Sequence, residues 1–167
     1  RFCQTPSCNG QPPATANLPI SQGATLLVNN AATDVSFLQL AQDPSSGQGL
    51  AAWTTDDPSG TLWTIHHPLS SYKRVASGAI TAQNPICAGT LGYYQFHYVD
   101  YTLGITEDGS TGAPLFDSQW RVVGQLYGVC SFATPNCNNP NQWNALFGRF
   151  SRSSPLISSY LTGVISP

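Results

Sequence analysis

The stretch from Ile105 to Arg121, ITEDGSTGAPLFDSQWR, carries the most chemistry in the chain. Gly109-Ser110-Thr111-Gly112-Ala113-Pro114 reads as a tight turn that enters a strand. Glycine reaches backbone conformations closed to other residues, so the chain can curl until successive N–H groups point into one small space. Donors gathered that way can stabilise an oxyanion. Thr111 places a hydroxyl beside them. The other reactive side chains are sparse. His66, His67 and His97 read as structural histidines, the last inside a strand-like run. Glu107 and Asp108 are adjacent in a loop, so they are expected to point apart into solvent rather than to act as an acid–base pair. Asp34 sits between two strand-like runs, and a loop aspartate is its plainest reading. Trp53, Trp63, Trp120 and Trp143 read as core or barrel-end packing.

The elements that position these groups must be strands. Ala24 to Asn29 and Val35 to Leu40 are short apolar runs separated by NNAATD, which predicts two strands and a tight loop. Further runs recur at Leu62 to His66, Arg74 to Ile80, Tyr93 to Tyr101, Pro114 to Phe116, Arg121 to Tyr127 and Ala145 to Phe150. Short strands at a regular beat, with turn residues between them, predict an all-β barrel or sandwich. QDPSSGQG at 42–49 is a loop and a candidate boundary. Only SSPLISSYLTGV has helical spacing, with Pro155 placed for a first turn.

Composition closes off other classes. Charged residues are 8% of the 167 and aromatics 11%, the reverse of a disordered chain. The 15 glycines and 13 prolines, with few Glu and Lys, oppose a helical bundle. Six scattered basic residues at a net charge of −2 leave no footprint for nucleic acid. No apolar run approaches the roughly 18 residues of a membrane helix. A surface rich in hydroxyls and amides fits a secreted protein.

Cys3, Cys8, Cys87, Cys130 and Cys137 make an odd count. None has the spacing of a metal knuckle or redox pair, so structural disulfides are expected and no metal or cofactor is implied. Cys130 and Cys137 are close enough for a local bridge. One cysteine then needs a partner outside this chain.

The nucleophile-like turn resembles that of chymotrypsin-fold serine proteases, and most of all the bacterial lysyl endopeptidase branch. That branch reads G-V-T-E-x-G-S-S-G-S-P followed by R-V-x-G-Q-L. This chain has Gly104-Ile105-Thr106-Glu107-Asp108-Gly109, then Arg121-Val122-Val123-Gly124-Gln125-Leu126. Ile65-His66-His67-Pro68 with Lys73-Arg74-Val75 resembles the branch's I-H-H-P…K-R-I, and Phe147-Gly148-Arg149 its Y-G-R. Ala32 to Leu38 resembles the segment that bears the triad aspartate, at Asp34. The matches keep the family's order from about residue 24 to 152.

The resemblance implies a double β-barrel, the second barrel complete and the first partial, with a short C-terminal helix. It divides the chain into 1–48 for the rest of the first barrel, 49–152 for the second and 153–167 for the helix and tail. It makes Thr111 the nucleophile position, Asp34 the triad acid, and the Gly109 and Thr111 amides the oxyanion hole. Ile105, Gly124, Gln125, Leu126, Tyr127, Gly128 and Ala145 would line the substrate pocket.

Three departures shape the functional expectation. The nucleophile position holds threonine, whose extra methyl must fit where imidazole and carbonyl converge, and a misplacement near 1 Å can cost roughly 10²-fold. No histidine precedes Asp34, although the fold uses the chain order histidine, aspartate, serine. Ala145 stands where the family keeps its lysine-selecting carboxylate, and Tyr127 where it has a histidine. A lysine ammonium buried there would be unpaired, so an uncharged residue suits the pocket better. The expectation is one chain of a cleaved, secreted two-chain protein. An upstream chain of the same precursor would be linked through Cys3 or Cys8 and would carry the histidine. As a single chain it would have little or no peptidase activity and would bind a peptide or protein as a pseudoprotease. The alternative is an active endopeptidase that uses Thr111 with the partner chain's histidine.

Overall fold

Among the described residues, short apolar runs near Gly, Pro, Asn and Asp become eight strands, followed by one α-helix. A computed structural model describes residues 20–44, 49–70, 72–82, 87, 94–130 and 144–161. The strands are β1 (Ala24–Asn30), β2 (Val35–Leu40), β3 (Leu62–His66), β4 (Arg74–Ile80), β5 (Phe96–Leu103), β6 (Pro114–Phe116), β7 (Val122–Cys130) and β8 (Asn144–Arg149), followed by α1 (Phe150–Ile157). Among the described residues these strands pair antiparallel with one another, and β3-β4-β5-β8-β7-β6 closes into a barrel through the β6–β3 contact. Closure removes the sheet edges that would otherwise invite other strands.

Alternation sets the faces. Along β3, Leu62, Thr64 and His66 are buried while Trp63 and Ile65 are only partly covered. Leu62, Val99, Tyr101, Leu115, Val123, Leu126 and Phe147 fill the barrel interior. Each such side chain contributes about 1.5–3 kcal/mol by leaving water. A second cluster, Phe96, Tyr98, Cys130 and Leu146, packs against Cys87.

That cluster decides the disulfide. Cys130 ends β7 and is bonded to Cys87, with Cα atoms 5.9 Å apart across 43 residues of sequence. The expected Cys130–Cys137 bridge is thereby corrected. Barrel closure sets Cys87 beside the end of β7, and nearness in sequence does not substitute for that. Cys3, Cys8 and Cys137 lie outside the described residues, as does Trp143.

β1 and β2 form a separate two-stranded sheet. A lone hairpin is marginal in water, and this one leaves Leu26, Leu38 and Leu40 about half exposed. Phe37 packs on Tyr160 with ring centroids 6.0 Å apart, which ties β2 to the turn after α1. The helix begins at Phe150, three residues earlier than its spacing suggested, so Pro155 falls inside it rather than in its first turn. The connector to the barrel runs beside β7, where Val122 N–H donates to Ala52 and Thr54 N–H to Val122.

Candidate active site

The nucleophile-like turn links β5 to β6. Gly109 and Gly112 have φ of 85° and 87°, a region that side chains with a Cβ avoid. Ser110 N–H donates to Glu107, Ala113 N–H to Ser110, and Gly112 N–H to Leu126 across the sheet. These bonds curl the chain and anchor it to β7. Among the described residues, neither the Gly109 nor the Thr111 N–H is given to a backbone carbonyl. Thr111 itself is exposed.

Ser110 turns the other way, into the protein. Its Oγ lies 2.9 Å from His66 Nδ1, and both side chains are buried. Burial first, and then the charges of His67 and Arg74, hold the His66 imidazole down at about 4, so it is neutral at pH 7. This contact pins the base of the turn to β3. His97 is likewise buried, on β5, where burial and then the Arg149 charge lower it to about 4 against the opposing pull of Asp57.

Asp34 occupies the β1–β2 turn at φ 52°, a conformation that aspartate tolerates better than most residues. Asn30 Oδ1 accepts from the Thr33 N–H at 3.2 Å. Gln125, on β7, donates its amide to the Thr33 carbonyl at 2.8 Å and to the Asp34 carbonyl at 3.3 Å. This bond crosses from the barrel to the hairpin and sets the position of Asp34. Burial raises the Asp34 carboxyl above its ordinary value.

Two cavities meet at Thr111. One, of about 450 Å³, is lined by Asp34, Thr111, Gly112, Gly124, Gln125 and their neighbours on β2 and α1. None of the chain's three histidines lines it. The other, of about 470 Å³, is lined by Leu69, Glu107, Asp108, Leu126, Tyr127 and Gly128 among others. The substrate-side residues therefore divide. Leu126, Tyr127 and Gly128 line the second cavity, and Gly124 and Gln125 the first. Ile105 and Ala145 are core residues and line neither. Glu107 and Asp108, expected to be merely solvated, sit on the wall of the cavity beside Thr111. Their place just before the Gly109 turn was the available signal. Leu69, held by its N–H donating to the Asp108 carbonyl, was legible in no motif.

The sequence profile of the lysyl endopeptidase C-terminal domain matches residues 1–147. The chain belongs to that family. Solved structures agree on the fold. An HtrA-type protease, AlgW, with a tripeptide superposes with a TM-score of 0.59 at 19% identity, over 83% of this chain and 44% of that one. A serine endoprotease from Yersinia pestis gives 0.57 at 15%, over 84% and 44%. A protease from M. tuberculosis in its active form gives 0.53 at 13%, over 86% and 60%. At those identities the likeness shows the chymotrypsin-like fold alone. The chain spans under half the length of the first two relatives. This lysyl endopeptidase-family domain thus lines one cavity with an acid, Asp34, and a hydroxyl, Thr111, while Ala145 is sealed in the core.

Proposed function

We propose that this chain is a trypsin-like protease homologue without peptidase activity on its own, which uses the surface of its barrel and hairpin to bind a peptide or protein. One observation carries the reading: Asp34 and Thr111 line a single cavity that none of the three histidines lines. A threonine hydroxyl has an alkoxide far too basic to form at neutral pH without a general base, so the pair lacks the group that would activate it. The exposed apolar side of β1 and β2 supports a partner, an upstream segment of the same precursor that completes the first barrel. The Cys87–Cys130 bond fits an oxidising, extracellular setting. The open cavity beside Asp34 favours the second reading, in which that partner inserts a histidine and restores an endopeptidase.

A fluorophosphonate probe separates the two. The purified chain and its T111S variant are both expected to remain unlabelled. With the upstream segment present, T111S should label and the threonine form should react roughly 10²-fold more slowly or not at all. Labelling of Thr111 in the single chain would overturn the first reading. Equal labelling of the threonine and serine forms with the segment would establish the second.

A further inference from the structure

Each free N–H of the nucleophile-like turn shares a peptide plane with a carbonyl that is tied down. Gly109 N–H lies opposite the Asp108 carbonyl, which accepts from the Leu69 N–H at 2.7 Å. Thr111 N–H lies opposite the Ser110 carbonyl, which accepts from the Ala113 N–H at 3.0 Å. A planar trans peptide points its N–H and C=O in opposite directions, so holding the carbonyl aims the N–H. Both aimed N–H groups belong to exposed residues and are given to no backbone carbonyl among the described residues. Two donors fixed in this way can receive a carbonyl oxygen or an oxyanion.

One short segment at the end of β3 grips this turn from outside. Leu69 reaches Asp108 from a backbone at φ 47°, which a leucine rarely adopts and which persists only where the surroundings impose it. Three residues earlier, His66 Nδ1 lies 2.9 Å from Ser110 Oγ, and each of these residues leaves only 2% of its surface in water. His66 Nε2 is buried with no hydrogen-bond partner among the described residues, so the ring's one hydrogen bond goes to Ser110. Buried polar groups are costly to leave unpaired, so this bond favours the inward Ser110 side chain. The ring is neutral at pH 7, and Nδ1 either takes the Ser110 proton or gives its own to Oγ. Either way it fixes Ser110, the residue between the two free N–H groups.

We propose that the segment 66–69 is the positioning element of the Gly109 and Thr111 N–H pair, with Leu69 acting through the Asp108–Gly109 peptide and His66 through Ser110. The proposal rests on reading the turn as the receiver of a bound peptide's carbonyl oxygen. Leu69 also lines the cavity of about 470 Å³ beside Thr111. The same residue therefore meets what enters that cavity and aims the N–H next to it.

Amide residual dipolar couplings of the whole chain test this, because they report the direction of each N–H bond. Leu69→Pro removes the N–H that holds Asp108, whereas Leu69→Gly keeps it and accepts φ 47° more easily. His66→Asn keeps a polar atom at the Nδ1 position, and His66→Gln does not. L69P is expected to shift the Gly109 coupling, and H66Q the Thr111 coupling, by roughly twofold or more as the freed peptide planes rotate. Val99 and Phe147 in the barrel should keep their couplings, and L69G and H66N should stay near wild type. A folded L69P with the wild-type Gly109 coupling overturns the proposal, as does H66Q with the wild-type Thr111 coupling. Equal shifts in H66N and H66Q also overturn it, because the ring would then act as filler. Should L69P not fold, the two His66 variants decide. The couplings need neither ligand nor partner, so they judge the role of the segment separately from whether a peptide binds.

Discussion

Lowering the pH from 7 to about 4 is expected to strip several kcal/mol of stability from this chain, through two buried histidines. His66 and His97 are each held at about 4 in the fold, against an ordinary value of 6.5. Between those values the unfolded chain binds a proton on each that the folded chain refuses, so acid favours unfolding. The stabilisation is whole above pH 6.5, falls as pH drops below it, and is exhausted below about 4. A depression of that size corresponds to at most about 3 kcal/mol per histidine, a large share of a typical domain's total. Burial is the leading cause at both sites. At His66 the charges of His67 and Arg74 add to it, and at His97 Arg149 adds to it and Asp57 opposes it. Asp117 adds its own loss only at lower pH, because its carboxylate is favoured in the fold. Urea midpoints measured from pH 7.5 to 4.0 would show the slope. His66→Gln and His97→Gln should each lower the midpoint at pH 7 yet flatten the dependence by about half. A midpoint unchanged between pH 7 and 4.5 would remove these two histidines from the account.

The sequence and the fold part company in an instructive place. The strands were legible because each is a short apolar run, three to nine residues long, near Gly, Pro, Asn or Asp, and turn chemistry acts locally. The nucleophile-like turn was legible for the same reason, since Gly109 and Gly112 occupy conformations that only glycine takes easily. What escaped depends on closure. His66 meets Ser110 across 44 residues, and Cys130 meets Cys87 across 43. Neither spacing carries a periodicity. Ile105 and Ala145 were read as pocket residues from their positions in a motif, but the barrel turns both inward to its core. Glu107 departs the opposite way, since it looks solvated in sequence but is half-buried on a cavity wall once the turn after it is closed, whereas Asp108 is exposed as expected. Trp120 was read as packing. Its left-handed backbone and exposed ring became visible only with the β6–β7 turn in place.

Replacing Gly148 with alanine should release the Asp34 hairpin from the barrel while the barrel persists. Gly148 lies on β8 in ordinary extended backbone, so the requirement here is for space and not for an unusual φ. A Cβ at this position would collide with the Thr33 carbonyl oxygen and with the Gln125 amide. Those two groups form the hydrogen bond that ties the Asp34 turn to β7. The barrel cannot yield easily, because Gly148 is paired on both sides, with Phe96 of β5 and Gln125 of β7. The hairpin can, since beyond this bond it is held chiefly by Phe37 on Tyr160 and a few contacts with α1. Forced overpacking costs about 1–3 kcal/mol, more than a two-stranded sheet has to spare. The strain therefore resolves by displacing Thr33 and Asp34 instead of melting β5, β7 and β8. Amide exchange distinguishes the two outcomes. In G148A, residues 24–40 should lose protection by tenfold or more while Tyr98, Leu126 and Phe147 keep theirs. Gly124→Ala offers the contrast, because its Cβ would press on the Gly148 carbonyl inside the barrel wall itself and should lower protection throughout. If G148A instead loses protection evenly across hairpin and barrel, the hairpin and barrel unfold as one unit, and the position of Asp34 is held by the whole fold instead of the Gln125–Thr33 bond.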